Sequence, residues 1–365
     1  MLEPGIFDFL QRLGDPFVNP TKRIFFGYLI TALFIGLLWL VWNGTGAGRG
    51  RVIAALRQLA DRRVWWSPSA RADYLILFCN QVIGQTLFTR LVAPLAVATL
   101  LFEGLHSLFA GRPILFPSLS PGSVALLFTV CFFLLDDVAR YLLHRLLHRW
   151  PLLWAFHKVH HSARTLTPLT VYRTHPVEGL LFALRTIAVQ AVSIGVFVFF
   201  FADRADLLTV LGANIFTFAF NLLGSNLRHS HVPIRYGRIV EHVLISPAQH
   251  QVHHSLDPAH HDRNFGAALA IWDWVGGSLT LSPPGGEGLR FGLQARIAPD
   301  EQRLWNHFVH PFIEAGALLW PSRRDQARDA ASRASRSTSA QSPAATIAFG
   351  ATQEPPTQAT LGSAR

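Results

Sequence analysis

Seventeen histidines punctuate this sequence of 365 residues, and fourteen of them fall between His144 and His261. In His144-Arg-Leu-Leu-His148 the two rings are four residues apart and project from one side of a helix. His157-Lys-Val-His160-His161 and His250-Gln-Val-His253-His254 repeat an HxxHH pattern whose first, fourth and fifth positions again face alike. Imidazoles crowded in this way would repel one another if protonated and would be costly to bury neutral without partners. A bound metal removes both difficulties. A zinc protease would carry glutamate directly after the first histidine, where Arg145 stands, and zinc sites stop at about four ligands. Bis-histidine haem ligation gives no reason for adjacent pairs such as His160-His161. Adjacent pairs instead suit two ions sharing one cage. Imidazole serves iron, copper and zinc alike, and redox chemistry at a lipid interface favours iron. His106, His242, His307 and His310 have no clustered partner and read as hydrogen-bonded packing residues.

The elements that carry these residues are those of a membrane protein. The chain is 50% hydrophobic and 15% charged, with mean hydropathy +0.29, where a soluble chain is usually about a quarter charged. Ile24 to Trp42 offers nineteen residues without a charge, enough to span a hydrocarbon core of about 30 Å. The polar, proline-containing stretch before it and the lack of a small-residue cleavage site after it argue against a cleaved signal peptide. Six arginines between Gly44 and Ala72 (49, 51, 57, 62, 63 and 71) face a single acid, Asp61, which makes this a cytoplasmic loop by the positive-inside rule. Asp73 to Ala110 is expected to cross once overall. Leu180 to Phe201 and Leu207 to Leu223 read as a helical hairpin, which would return the late histidines to the face of the early ones. The net charge of +10 lies beside apolar segments, so anionic lipid headgroups, and no nucleic acid, are the expected partners. Cys79 and Cys131 lie in apolar runs, which excludes a disulfide scaffold or a cysteine metal site. The expected organisation is an N-terminal segment 1–72, a catalytic membrane domain 73–321 and a disordered tail 322–365 rich in Ser, Thr, Ala, Gln and Pro. The fold class is all-α: a polytopic membrane helical bundle under a cytoplasmic histidine-rich helical cap that holds the metal site.

The runs HRLLH, LWAFHKVHHS, YRTHPVEG, SNLRHSHVPIRYG, SPAQHQVHHS and NFGAALAIWDW, between about Asp136 and Leu279, resemble the membrane fatty acid hydroxylase and sterol desaturase superfamily. The resemblance implies an integral membrane di-iron enzyme that uses O2 and two external electrons to hydroxylate or desaturate a lipid C–H bond. It implies iron ligation by His144, His148, His157, His160, His161, His250, His253 and His254, with His229 as the isolated histidine before the last box. His175 is a further candidate ligand, as is His231, which stands where many relatives carry asparagine. It also brings Arg173, Asn264, Trp272 and Asp273 forward as residues that shape the site. Val275-Gly-Gly-Ser278 departs from the FGT that often follows the WD motif. No haem loop of a fused cytochrome b5 is recognisable, so a separate electron donor, a ferredoxin or a cytochrome with its reductase, is expected.

Asp136, Asp137, Glu178, Asp257 and Asp262 are near enough in sequence to hold ligand rings from behind, and Asp137 stands with Arg173, Asn264 and Asp273 as a candidate catalytic residue. Arg140, Arg145 and Arg149 are expected to face headgroups or helix carbonyls. The expected location is a bacterial inner membrane, with the site on the cytoplasmic side. The other class of function is metal binding or transport without oxidase activity, which would place ligands at mid-membrane on apolar helices. Sterols, fatty acyl chains, carotenoids and ether lipids all remain possible substrates.

Overall fold

The computed structural model describes residues 4–87, 94–109, 115–284, 288–294 and 302–320. In chain order its helices are α1 (Pro4–Val18), α2 (Phe26–Asn43), α3 (Gly48–Leu59), α4 (Arg62–Trp65), α5 (Pro68–Leu87), α6 (Pro94–Leu108), α7 (Pro121–Arg149), α8 (Pro151–His161), α9 (Pro176–Phe201), α10 (Ile215–Leu222), α11 (Pro247–His253), α12 (Ile271–Val275) and α13 (Leu304–Leu319). The one sheet among the described residues is a two-stranded antiparallel ribbon, β1 (Thr209–Val210) with β2 (Ala213–Asn214). Residues Met1–Leu318 form one unit and Leu319–Arg365 a second. The expected tail, 322–365, lies outside the described residues.

Three helices, α2, α7 and α9, are long and apolar enough to cross a membrane, and no more than 28% of the most apolar stretch of each is buried. This is a membrane protein. On α2 the buried face is Tyr28, Ala32, Gly36 and Leu40, spaced by four, while Ile30, Leu33, Phe34 and Leu38 point outward as lipid-facing side chains do. Along α6 and α9 the backbones pack closely at Gly195, where an added Cβ would lie 3.1 Å from the Ala98 carbonyl oxygen.

Two expectations need correction. The arginine-rich stretch after α2 is helical, not an open loop, because Ala55 and Leu59 bury one face of α3 against Ala32 and Leu40 of α2 and against Leu227, Val232 and Ile234. Asp61 ends this region as the N-cap of α4, accepting from the Arg63 amide at 2.8 Å. The second half of the expected helical hairpin is also absent as a span. Leu207 to Leu223 opens with the β1–β2 turn, where Gly212 takes φ +80, and leaves only the eight residues of α10. Eight residues rise about 12 Å, too short for a core of about 30 Å. Of the stretch 73–110, residues 88–93 and 110 lie outside the described residues; α5 and α6 flank the first gap.

The segment between α8 and α9 is anchored by a buried ion pair. Arg173 Nη1 donates to Asp73 Oδ1 of α5 at 2.8 Å, with both side chains wholly buried. The same guanidinium donates to the Val159 carbonyl at 3.1 Å and the Ser162 hydroxyl at 2.9 Å, which fixes the C-terminal end of α8. Thr170 completes the pair by donating to Asp73 Oδ2 at 2.6 Å. Replacing Asp73→Asn should therefore leave a buried guanidinium without its counter-charge and cost about 3–5 kcal/mol. Asp73→Leu combined with Arg173→Met should cost less than Asp73→Asn alone. Thermal melts of the three proteins in one detergent check the order.

Candidate metal centre

Helix α7 ends where Trp150 closes it and at once serves as the N-cap of α8, with Pro151 in the first turn. The two helices thus bring His144 and His148 from one, and His157, His160 and His161 from the other, into a single buried space. His229 is supplied by the 3-10 turn Ser225–His229. His250, His253 and His254 are supplied by α11 and its C-cap; this helix starts in a capping box, where Ser246 Oγ accepts from the Gln249 amide at 3.1 Å and Gln249 Oε1 from the Ser246 amide at 3.0 Å.

Nine histidines gather into two groups, His144, His148, His157, His161 and His253 in one and His160, His229, His250 and His254 in the other. Within each group the donor atoms all lie within 4.8 Å of one another. Around His229 Nε2, the Nε2 atoms of His250, His160 and His254 stand at 3.0, 3.2 and 3.2 Å. His157 Nε2 is 3.1 Å from His148 Nε2. Imidazole nitrogens sharing a first-row ion at about 2.0–2.1 Å come within roughly 3–3.5 Å of each other. The Nε2 atoms of His144, His161 and His253 are buried with no hydrogen-bond partner. Donors that converge on one another with nothing to bond are what a metal site requires.

The opposite ring edges are held by the protein. His144 Nδ1 donates to the Phe265 carbonyl at 2.8 Å, and His253 Nδ1 to the Arg263 carbonyl at 2.7 Å. A carbonyl oxygen can only accept, so these rings carry their proton on Nδ1 and present Nε2 unprotonated. His157 Nδ1 is 3.0 Å from Glu178 Oε1, a carboxylate in the first turn of α9. Asp262 stands 3.7 Å from His148 Nδ1, beyond hydrogen-bond distance. Burial, reinforced by neighbouring rings, holds His160, His161, His229, His250 and His254 well below the usual histidine range. Burial takes His253 down to about 3 against the opposing pull of the Arg263 carbonyl. Rings held down in this way are neutral, the form that binds metal.

Four residues expected to act at the centre lie in the frame around it. Asp137 accepts from the amides of Ala268 and Leu269 and from Trp272 Nε1, each at 2.9 Å. Asp273 accepts from the amides of Phe265 and Gly266 at 2.8 and 2.7 Å and from the Ser278 hydroxyl at 2.6 Å; burial pushes its carboxyl up, against the pull of these donors. Asn264, at φ +55, bonds the Gln249 and Thr280 carbonyls and the Thr280 amide. Together these three side chains fix the 263–270 loop whose carbonyls orient His144 and His253. Arg173 is spent on Asp73 and the end of α8.

His175 and His231 lie outside both groups. His175 caps α9, accepting from the Val177 amide at 3.1 Å, and its Nε2 bonds the Phe308 carbonyl at 3.1 Å, so both ring nitrogens are taken by backbone. His231 Nε2 bonds the Gln58 carbonyl at 3.0 Å. Of the remaining carboxylates, Asp257 caps the Pro258–His260 turn by accepting from the Ala259 amide at 2.9 Å. Asp136 is bound by Arg140 and Arg185. Arg145 meets the helix-carbonyl expectation at Gly276 O, 2.8 Å away, but Arg140 pairs with a carboxylate instead. Sequence reasoning passed over the Asp73–Arg173 pair, whose members are 100 residues apart, and Trp154, whose ring packs 5.0 Å from His148 and 5.3 Å from His161. The only sequence hint of Trp154 was its place one turn before the HxxHH of α8.

A cavity of about 270 Å³ opens on His144, His157, His160, His229 and His250. A second, of about 490 Å³, reaches His148, His161 and His253 from another side, past Lys158 and Asp262. The centre is therefore approached twice, and the first approach has apolar walls in Val171, Phe182 and Phe265.

Residues 129–278 match the fatty acid hydroxylase family. Among characterised proteins the chain is similar to alkylglycerol monooxygenase of Danio rerio, 29% identical over 183 residues that cover 50% of this chain and 36% of the relative. It is 28% identical to ornithine lipid hydroxylase OlsE of Rhizobium tropici over 159 residues, 43% of each chain. It is also 28% identical to very-long-chain aldehyde decarbonylase GL1-1 of Oryza sativa subsp. indica over 148 residues, 38% of this chain and 21% of the relative. The chain thus spans less than half the length of each of these relatives. No solved structure matches it. All nine clustered histidines fall inside the 129–278 segment, and it is through that segment that the chain is similar to the fatty acid hydroxylase family.

Proposed function

We propose that this protein is a membrane-bound di-iron oxidase that hydroxylates or desaturates a lipid C–H bond. The observation that carries the reading is the division of nine imidazoles into two donor groups beside a cavity with one apolar wall. The relatives named above are a lipid hydroxylase, a monooxygenase and an aldehyde decarbonylase, which supports oxidative work on lipids. Metal carriage would call for donors at mid-membrane, whereas His144 and His148 occupy the last two turns of α7. The arginines of α3 and α4 support a cytoplasmic placement of this end by the positive-inside rule, and the host membrane we assign is a bacterial inner membrane.

Iron, once bound, would supply the oxidising power that no side chain has. In hydroxylation one atom of O2 enters the C–H bond and the other leaves as water, with two electrons and two protons taken up; in desaturation both oxygen atoms leave as water. The chain's own part is orientation and exclusion. The Phe265 and Arg263 carbonyls and Glu178 hold a proton on Nδ1 of His144, His253 and His157, which keeps each Nε2 aimed inward. Phe182, Phe265 and Val171 give an apolar wall to the cavity in which the lipid carbon would lie. The electrons we assign to an external ferredoxin- or cytochrome-type carrier that docks on the basic cytoplasmic face.

Elemental analysis of gently purified protein should find about two irons per chain; about one zinc with negligible iron and full activity would refute the assignment. His157→Ala and His253→Ala should lose both iron and turnover, while His231→Gln should retain its iron. Glu178→Gln should lower iron affinity or turnover by about 10- to 100-fold, because the His157 ring loses its anionic anchor. With a reduced acidic carrier supplied, turnover should fall as ionic strength rises, since a Debye length of about 8 Å at 0.15 M screens a basic docking face. A rate indifferent to salt would remove that docking face from the account.

A further inference from the structure

The cavity that touches five of the clustered histidines is cationic on its other side. Arg23, Arg140, Arg185 and Arg228 all line it, and Arg23, Arg140 and Arg228 also line a smaller cavity of about 60 Å³ against α7 and α10. Four guanidiniums meet three nearby carboxylates, and those carboxylates are committed. Asp136 is shared by Arg140 at 2.8 Å and Arg185 at 2.7 Å. Asp137 serves the Ala268 and Leu269 amides and Trp272, and Glu178 serves His157. Among the described residues, Arg228 is bound by the Ser225 and Ala267 carbonyls and stacks on Phe220. Arg23 makes no hydrogen bond or ion pair with any described residue, although burial and the neighbouring Arg140 lower its pKa to about 10. The nearest acid on its own segment, Asp15, is engaged by Asn19 at 2.9 Å and Lys22 at 3.8 Å.

An unpaired guanidinium in a partly desolvated cavity is costly unless an anion completes it. Arg23 stands three residues before α2, on the wall of the cavity that the histidines share. On the reading of the site as a lipid oxidase, we propose that Arg23, Arg140 and Arg228 receive the anionic head group, a phosphate or carboxylate, of the lipid that is oxidised. Guanidinium forks suit both groups, which share two or more coplanar acceptor oxygens. Head-group receptor and histidine centre border one cavity of about 270 Å³, below the usual range of about 300–1,000 Å³ for drug-sized ligands. The cavity has room for a head group and the first few carbons, with the rest of the chain outside. The carbon presented to the metal centre is therefore close to the polar end of the lipid, not in the middle of its chain.

The full chain in phosphatidylcholine nanodiscs, titrated with dodecyl phosphate, dodecanoate, 1-dodecylglycerol and inorganic phosphate, tests this by tryptophan fluorescence or native mass spectrometry. Dodecyl phosphate and dodecanoate should each bind about ten-fold or more tighter than the neutral dodecylglycerol. Arg23→Gln should erase most of that preference and Arg23→Lys should restore part of it, with Arg62→Gln, an exposed arginine on α4, as the control. Equal binding of the neutral and anionic lipids by the unaltered protein overturns the proposal, as does a preference that survives Arg23→Gln. Inorganic phosphate binding as tightly as dodecyl phosphate also overturns it, by showing a free-anion site with no use for the chain. Binding selectivity is read without turnover, so its failure is separate from failure of the oxidase reading, which would appear as missing iron or missing oxidised product.

Discussion

The structure depends on burying nine imidazoles whose donor atoms converge in two groups. Each such ring would rather be solvated or charged, and burial forbids both. The fold's answer is to fix the far side of the rings before any metal arrives. Two backbone carbonyls and one carboxylate take the Nδ1 protons of His144, His253 and His157. Those acceptors must themselves be immobile, which accounts for the buried carboxylates of Asp137 and Asp273. Between them they accept four backbone amides, an indole and a hydroxyl around residues 265–278.

The same logic governs where helices stop. Prolines 121, 151, 176 and 247 sit in the first turn of α7, α8, α9 and α11, so each histidine-bearing or histidine-supporting helix has a sharply defined start. His175 belongs to this system of helix ends. Its ring caps α9, which carries Glu178, and both its nitrogens are engaged by backbone.

The clustering of these histidines was legible because helical spacing is a local property. His144/His148 and the two HxxHH runs declare a shared face within five residues, and no distant contact is needed to read them. His175 and His231 look the same in sequence as His229, and only the tertiary course of the chain separates them: one ring is consumed by α9 and Phe308, the other by Gln58. The frame roles of Asp137 and Arg173 were hidden for a related reason, since their partners include residues about 100 to 135 positions away. Hydropathy marked the spans α2, α7 and α9 well. It misled over Leu207 to Leu223, where an apolar run is interrupted by a turn at Gly212 that composition averages away.

The 29 residues of α7 would measure about 43 Å, against a hydrocarbon core of about 30 Å. The surplus is about two and a half turns, and His144 and His148 lie within it. Because α8 begins on the residue that ends α7, this overhang is rigidly coupled to the rest of the histidine cage. The height of the centre above the acyl chains is thus a mismatch length, set jointly by the helix and by the bilayer that holds it. A thicker bilayer would draw the cage down toward the acyl chains and a thinner one would lift it toward water, so bilayer thickness acts on the position of this centre as a mechanical variable.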